Sequence, residues 1–112
     1  MRKNYHSNEY CVKLDRNGYA PSILENYPPT RCHICYRQMG TLQRHEVFHG
    51  SNRENSKHYG LWIYVCHGCH FRIHNGDGKL DIYLKEDAQK TAMEYYDWSI
   101  EDWRIRFGRN YI

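Results

Sequence analysis

From His49 to His74 the chain reads HGSNRENSKHYGLWIYVCHGCHFRIH, and these 26 residues hold two cysteines and five histidines. Cys66-x-x-Cys69 is half of a metal knuckle. Cys32-x-x-Cys35 supplies the other half, with thirty residues (36 to 65) between the pairs. Four thiolates from two such pairs make a closed, tetrahedral, structural zinc site. Three other readings are weaker. A redox pair of thioredoxin type needs a βαβ setting that is missing here, and disulfides need an oxidising compartment. Covalent haem attachment fits CHGCH (Cys66 to His70), but it requires export and leaves Cys32 and Cys35 without a role.

The gap between the pairs reads as strand, loop and strand. TLQRHEVF alternates well enough for a strand, and Gly50 to His58 carries no large apolar side chain and reads as loop. LWIYVC is a β-rich apolar run and reads as a buried strand, with Trp62 and Tyr64 as core residues. Gly68 to His74 reads as a short helix ended by Asn75-Gly76. A knuckle, a hairpin and a helix bearing the last two ligands form a treble clef. The expected class is α+β, a zinc-stapled treble-clef core with an N-terminal β-hairpin and C-terminal helices.

The flanks fit one domain of 112 residues in three parts, an extension (1-30), the core (31-76) and C-terminal helices (77-112). Asn17-Gly18 suits a tight hairpin turn, and Cys11 reads as a buried strand residue. SILENYPPT allows a helical turn ended by Pro28-Pro29. A longer helix is expected over Lys85 to Trp98, with Leu84, Ala88, Ala92 and Tyr95 on one face. Ser99 and Asp102 resemble a capping box opening a last helix, with Ile100, Trp103 and Phe107 inward and Gly108 as the stop.

Composition explains the need for a staple. Hydrophobic residues make up 40% of the chain, but that share includes eleven tyrosines, each with a polar tip. The mean hydropathy is −0.94. A small aliphatic core in a chain this size calls for metal or disulfides. The net charge of +3 permits a local nucleic-acid patch without demonstrating one. No apolar run is long enough to span a bilayer, and the start lacks a signal-peptide core, so a cytoplasmic protein is expected.

His70 and His74 stand four residues apart on the expected helix, so their rings share a face and can bind one cation together. His45 lies on the strand that would pass that helix. His49 and His67 have no assigned role.

With Cys32-x-x-Cys35, the His45 strand, the polar loop and YVCHGCHFRIH in place, the chain resembles the HNH, or ββα-metal, nuclease family. The stretch from Arg44 to His70 and the tail LKEDAQKTAMEYY…FGRNYI are similar to small HNH-like proteins of phages and prophages in Gram-positive bacteria. The resemblance covers roughly residues 31 to 112. It implies a DNA endonuclease working in a bacterial host's cytoplasm, with His70 and His74 holding Mg²⁺, Mn²⁺ or a later transition metal. Zinc would stay with Cys32, Cys35, Cys66 and Cys69.

Two alignments of the catalytic strand stay open. One, the preferred reading, makes His45 the base, with Glu46 as a ligand or orienting group and Arg44 in a ligand's place. The other makes His45 a ligand and puts Glu46 in the base position. Where the family carries an asparagine before the second strand, this chain has Tyr59-Gly60-Leu61, with Asn52 and Asn55 as substitutes off the usual spacing. Arg44, Arg53, Lys57 and Arg72 are the expected nucleic-acid contacts, and Arg104, Arg106 and Arg109 cluster near the end. The alternative function is a catalytically degenerate zinc module that binds nucleic acid or protein. The oligomeric state is not legible from the sequence.

Overall fold

The apolar run after Gly60 forms strand β2, Trp62–Val65, and pairs antiparallel with β1, Gln43–Glu46. Gln43 stands opposite Val65, Arg44 opposite Tyr64, His45 opposite Ile63 and Glu46 opposite Trp62. Because side chains alternate along a strand, Gln43 and His45 share one face with Ile63 and Val65. Arg44 and Glu46 share the other with Tyr64 and Trp62. This computed structural model describes residues 7–25, 30–38 and 40–112; Pro28-Pro29 and most of the polar start lie outside them.

Between the strands come a 3-10 turn, Gly50–Asn52, and helix α1, Arg53–His58. The expectation of a loop was wrong here, because tertiary hydrogen bonds replace the apolar stripe that the segment lacks. Buried Ser56 accepts the Phe48 N–H and donates back to the Phe48 carbonyl. Asn52 and Asn55 donate to the Phe107 and Arg106 carbonyls.

Helix α2 is His67–His74, with the Cys66 sulfur accepting from the Cys69 N–H at its start. Helix α3 is Gly78–Tyr96, seven residues longer at its start than expected. Asp77 is the missed signal. Flanked by glycines it reads as loop, yet its carboxylate caps the helix by accepting from the Leu80 N–H. Leu84, Ala88 and Ala92 are buried on α3, whereas Tyr95 is exposed and Tyr96 turns inward to donate to the Tyr59 carbonyl. Helix α4, Ile100–Phe107, opens on the Ser99–Asp102 capping box and stops at Gly108. Trp103 and Phe107 are buried and stacked at 4.1 Å, while Ile100 is exposed because the helix turns its first residue to solvent.

The core lies between the inner face of the hairpin and helices α2, α3 and α4, centred on Phe48, Leu61, Ile63 and Trp103. Buried Gln89 of α3 clamps the tail through Asn110 and the Tyr111 N–H. The N-terminal segment packs on the opposite, outer face of the hairpin. Trp62 Nε1 donates to the Ala20 carbonyl, Ser22 Oγ to the Trp62 carbonyl, and the Ile23 N–H to the Gly60 carbonyl.

The turn at Asn17-Gly18 forms, with Asp15 and Tyr19 bonded across it, but its flanks build no strand ladder; Ser7 and Lys13 make only an isolated bridge. Cys11 is exposed and lies in the left-handed region at φ 61°, so its assignment as a buried strand residue is corrected. Its N–H bonds to the Asn8 carbonyl in a local turn.

Gly60 marks where the N-terminal segment crosses the hairpin. It has φ +73°, and a Cβ there would land on the Pro21 carbonyl oxygen. Gly60→Ala should therefore destabilise the protein by more than about 2 kcal/mol in urea unfolding of the metal-loaded chain. Gly68→Ala, on α2 with open space around it, should gain roughly 0.5–1 kcal/mol. Equal effects from the two would contradict this packing.

Candidate functional site

Cys32, Cys35, Cys66 and Cys69 converge, with their sulfurs all within 4.8 Å of one another. The knuckle is positioned by backbone bonds: Cys32 N–H to the Arg37 carbonyl, Tyr36 N–H to the Cys32 carbonyl, and His33 N–H to the Tyr64 carbonyl of β2. The Glu25 carboxylate pairs with His33 Nδ1 at 3.0 Å and accepts from the Tyr64 N–H, holding His33's pKa up.

The cysteine cluster fits zinc on its own geometry. Cys35 and Cys66 sulfurs stand 3.9 Å apart, far beyond a disulfide bond. Sulfurs sharing a tetrahedral zinc at about 2.3 Å stand roughly 3.8 Å apart. The Cys35 and Cys69 N–H groups point at the Cys32 and Cys66 sulfurs, the pattern that favours thiolates. Burial opposes ionisation at Cys32, but the N–H groups of Cys35, Cys66 and Ile34 outweigh it and bring the thiol down to about 6. At Cys69 burial and the surrounding thiols push it up to about 12. Four thiolates that close repel one another without a cation; these four cysteines could hold a zinc ion.

A second cluster lies along the adjacent face of α2. His45, His70 and His74 bring three ring nitrogens within 4.8 Å of one another. On α2 the i, i+4 pair Cys69 and Ile73 is buried, and the neighbouring pair His70 and His74 faces β1. The His45 ring lies 5.3 Å from each of theirs. Gln43, two residues before His45 on the same strand face, bonds His70 Nδ1 at 2.8 Å and leaves its Nε2 lone pair facing the cluster.

The ring geometry fits a cation. His70 Nε2 and His74 Nε2 stand 3.1 Å apart. Two imidazoles sharing a metal at about 2.1 Å have nitrogens roughly 3.0–3.4 Å apart. A hydrogen bond between them has the same length, but it leaves His45 unexplained. His45 is 2% exposed, and its buried Nε2 has no hydrogen-bond partner among the described residues. Burial, then the neighbouring rings of His70, His74 and His49, lowers its pKa to about 4. At neutral pH it is an uncharged imidazole with a free ring nitrogen, and one cation would satisfy all three rings.

The remaining expected residues have partners of their own. Arg44 lies against the Tyr19 and Trp62 rings and pairs with Asp15 at 3.6 Å. Glu46 sits at the edge of the histidine cleft, paired with Arg53 at 2.6 Å. Lys57 is nearly buried and pairs with Glu54, Arg72 pairs with Asp77, and Arg106 with Glu9. Asn52 and Asn55, bonded to α4, take no part in the histidine cluster.

The sequence reading missed two residues. Gln43 was findable from strand alternation, since it shares His45's face. His49 lines the same cleft, its ring 5.8 Å from that of His74 and its Nε2 4.0 Å from Asp81. Only the turn after β1 puts it there, and no spacing rule signals that.

No family model, curated protein or solved structure matches the chain. Among the described residues, no helix is long and apolar enough to cross a membrane.

Metal should be inseparable from folding at the cysteine cluster. Structural zinc contributes about 10–16 kcal/mol in small zinc domains, comparable with or above a whole domain's net stability. Cys66→Ser, or a strong chelator, should abolish cooperative unfolding by circular dichroism and release one zinc per chain. Cys11→Ser should retain both properties, because Cys11 is exposed and outside the cluster. A chelated chain that still unfolds cooperatively at the same midpoint would rule out a structural role.

Proposed function

We propose that this chain is a metal-dependent endonuclease of the HNH type, hydrolysing phosphodiester bonds in DNA on a zinc-fastened treble-clef core. The observation that carries the reading is His45. Its buried Nε2 has no hydrogen-bond partner among the described residues, and its ring lies against two helical imidazoles, an arrangement with no evident structural use.

His45, His70 and His74 would hold the catalytic cation. Three imidazoles suit a transition metal better than Mg²⁺, which prefers oxygen ligands. When bound, such a cation polarises the phosphate and stabilises the departing oxygen. Of the two alignments drawn from the sequence, the unpartnered Nε2 favours His45 as ligand, which leaves Glu46 in the base position. Glu46 is tied to Arg53, and Arg53 is more than half exposed at the cleft mouth. A phosphate arriving there would draw Arg53 away and free the carboxylate to take a proton from water.

A degenerate binding module is the second reading, favoured by Arg44's engagement with aromatic rings and Asp15 instead of a cation site.

Metal content and cleavage separate these readings. With Mn²⁺, Ni²⁺, Zn²⁺ or Mg²⁺, purified protein should nick plasmid or cut single-stranded DNA. His70→Ala and His74→Ala should lower the rate by at least about a hundredfold while keeping the cysteine-bound zinc. His45→Ala should also lose the second metal if His45 is a ligand; retained metal with lost turnover would make it the base. Intact DNA under every cation, with one zinc and no second-site affinity, would leave the module reading standing.

A further inference from the structure

The outer face of the hairpin carries a cleft of about 610 Å³, larger than the histidine cleft of about 350 Å³. Strand alternation puts Arg44, Trp62 and Tyr64 on its floor, and the N-terminal segment supplies Asp15 and Tyr19 as its wall. The Arg44 guanidinium carbon lies 4.0 Å from the Tyr19 ring centre and 4.3 Å from that of Trp62. Trp62 itself is 2% exposed, so it backs the cleft, while Tyr19, Arg44 and Tyr64 are half-buried and reachable.

The chemistry of this lining selects its occupant. A bare phosphate would meet the Asp15 carboxylate, 3.6 Å from Arg44 and 44% exposed. An aliphatic ligand would leave both charged groups unused. A nucleobase uses all of them, because its flat face stacks on tyrosine or guanidinium, its carbonyl and ring nitrogens accept from Arg44, and its N–H groups donate to Asp15. The volume falls within the range of ligand sites. The position is also right for a strand. Tyr19 and Arg44 line both clefts, so a base seated here would lie next to the cleft that holds the histidine cluster.

We propose that this cleft is a subsite for one unstacked nucleobase of the substrate, beside the phosphate held at the histidine cluster. The inference rests on the nuclease reading above and adds a substrate class, single-stranded or frayed DNA over intact duplex, whose bases stay stacked.

Binding, read without turnover, tests it. Zinc-loaded protein without a second cation is titrated with guanosine 5′-monophosphate, and separately with ribose 5-phosphate as the base-free probe. The nucleotide should shift the Trp62 indole, Tyr64 and Arg44 NMR signals, and ribose 5-phosphate should not. Tyr19→Ala should weaken nucleotide binding by about tenfold, and Tyr19→Phe should retain it. Equal responses to the two probes, or shifts that avoid the cleft, would overturn the subsite whether or not the alanine variant folds. A chain that binds the nucleotide here yet leaves DNA uncut retires the nuclease reading alone. An active chain whose Trp62 region ignores the nucleotide retires the subsite alone.

Discussion

Four sulfurs within 4.8 Å are the constraint on which the rest of this structure depends. As thiolates they repel, and as thiols they waste the N–H groups aimed at two of them; a cation resolves both problems. Its mechanical consequence reaches further than the knuckle. Cys32 and Cys35 are bonded to β2 through the His33 N–H and the Tyr64 carbonyl, while Cys66 and Cys69 open α2. An ion joining the pairs would fix the start of α2 against the hairpin and set its rotation. With Cys69 turned to the cysteine cluster and Ile73 into the core, the next residue along, His70, and its i+4 mate His74 have to face β1. The cysteine site therefore sets the geometry of the histidine site without sharing a ligand with it.

Strand alternation divides β1 in the same way. His45 and Gln43 go to the inner face, where one faces the helical imidazoles and the other orients His70. Arg44 and Glu46 go to the outer side, where aromatic rings and ion pairs engage them. A slip of one residue would exchange the two sets. The register is held against that slip by Ser56, which ties the end of β1 to α1, and by Trp62, whose indole is bonded to Ala20. A four-residue strand would not hold its register alone.

What could be read from the sequence follows the range of the forces involved. The cysteine pairs, the helical histidine pair, the Ser99 cap and both strands depend on local spacing or periodicity, and those elements stand where spacing puts them. Helix α1 and the first turns of α3 were misread for opposite reasons. The first is held by bonds to Phe48 and α4 that local pattern does not encode, and the second starts at an Asp77 cap hidden between glycines. The outward turn of Tyr95 and Ile100 shows that a helical stripe locates a face only to within a residue. At the candidate site, the convergence of His70 and His74 was legible. The isolation of His45 Nε2 and the approach of His49 were not, since both depend on how the turn after β1 folds back.

The pairing of the basic side chains bears on how a polyanion would be met. Arg44, Arg53, Lys57, Arg72 and Arg106 each have a carboxylate partner within the chain, and the net charge is only +3. At these five positions the positive charge is already paired, which weakens the long-range attraction they would exert on duplex DNA. Association would instead proceed by exchange, each phosphate replacing a carboxylate on an arginine already in place. Exposed pairs contribute little to stability, so the exchange has a small cost. At Arg53 it also has a chemical result, because the displaced carboxylate is Glu46, at the edge of the histidine cleft. On the proposed function, binding and activation of the base are then one event. A chain built this way spends little affinity on DNA that does not reach the cleft, which suits an enzyme selecting an unstacked strand better than one coating a duplex.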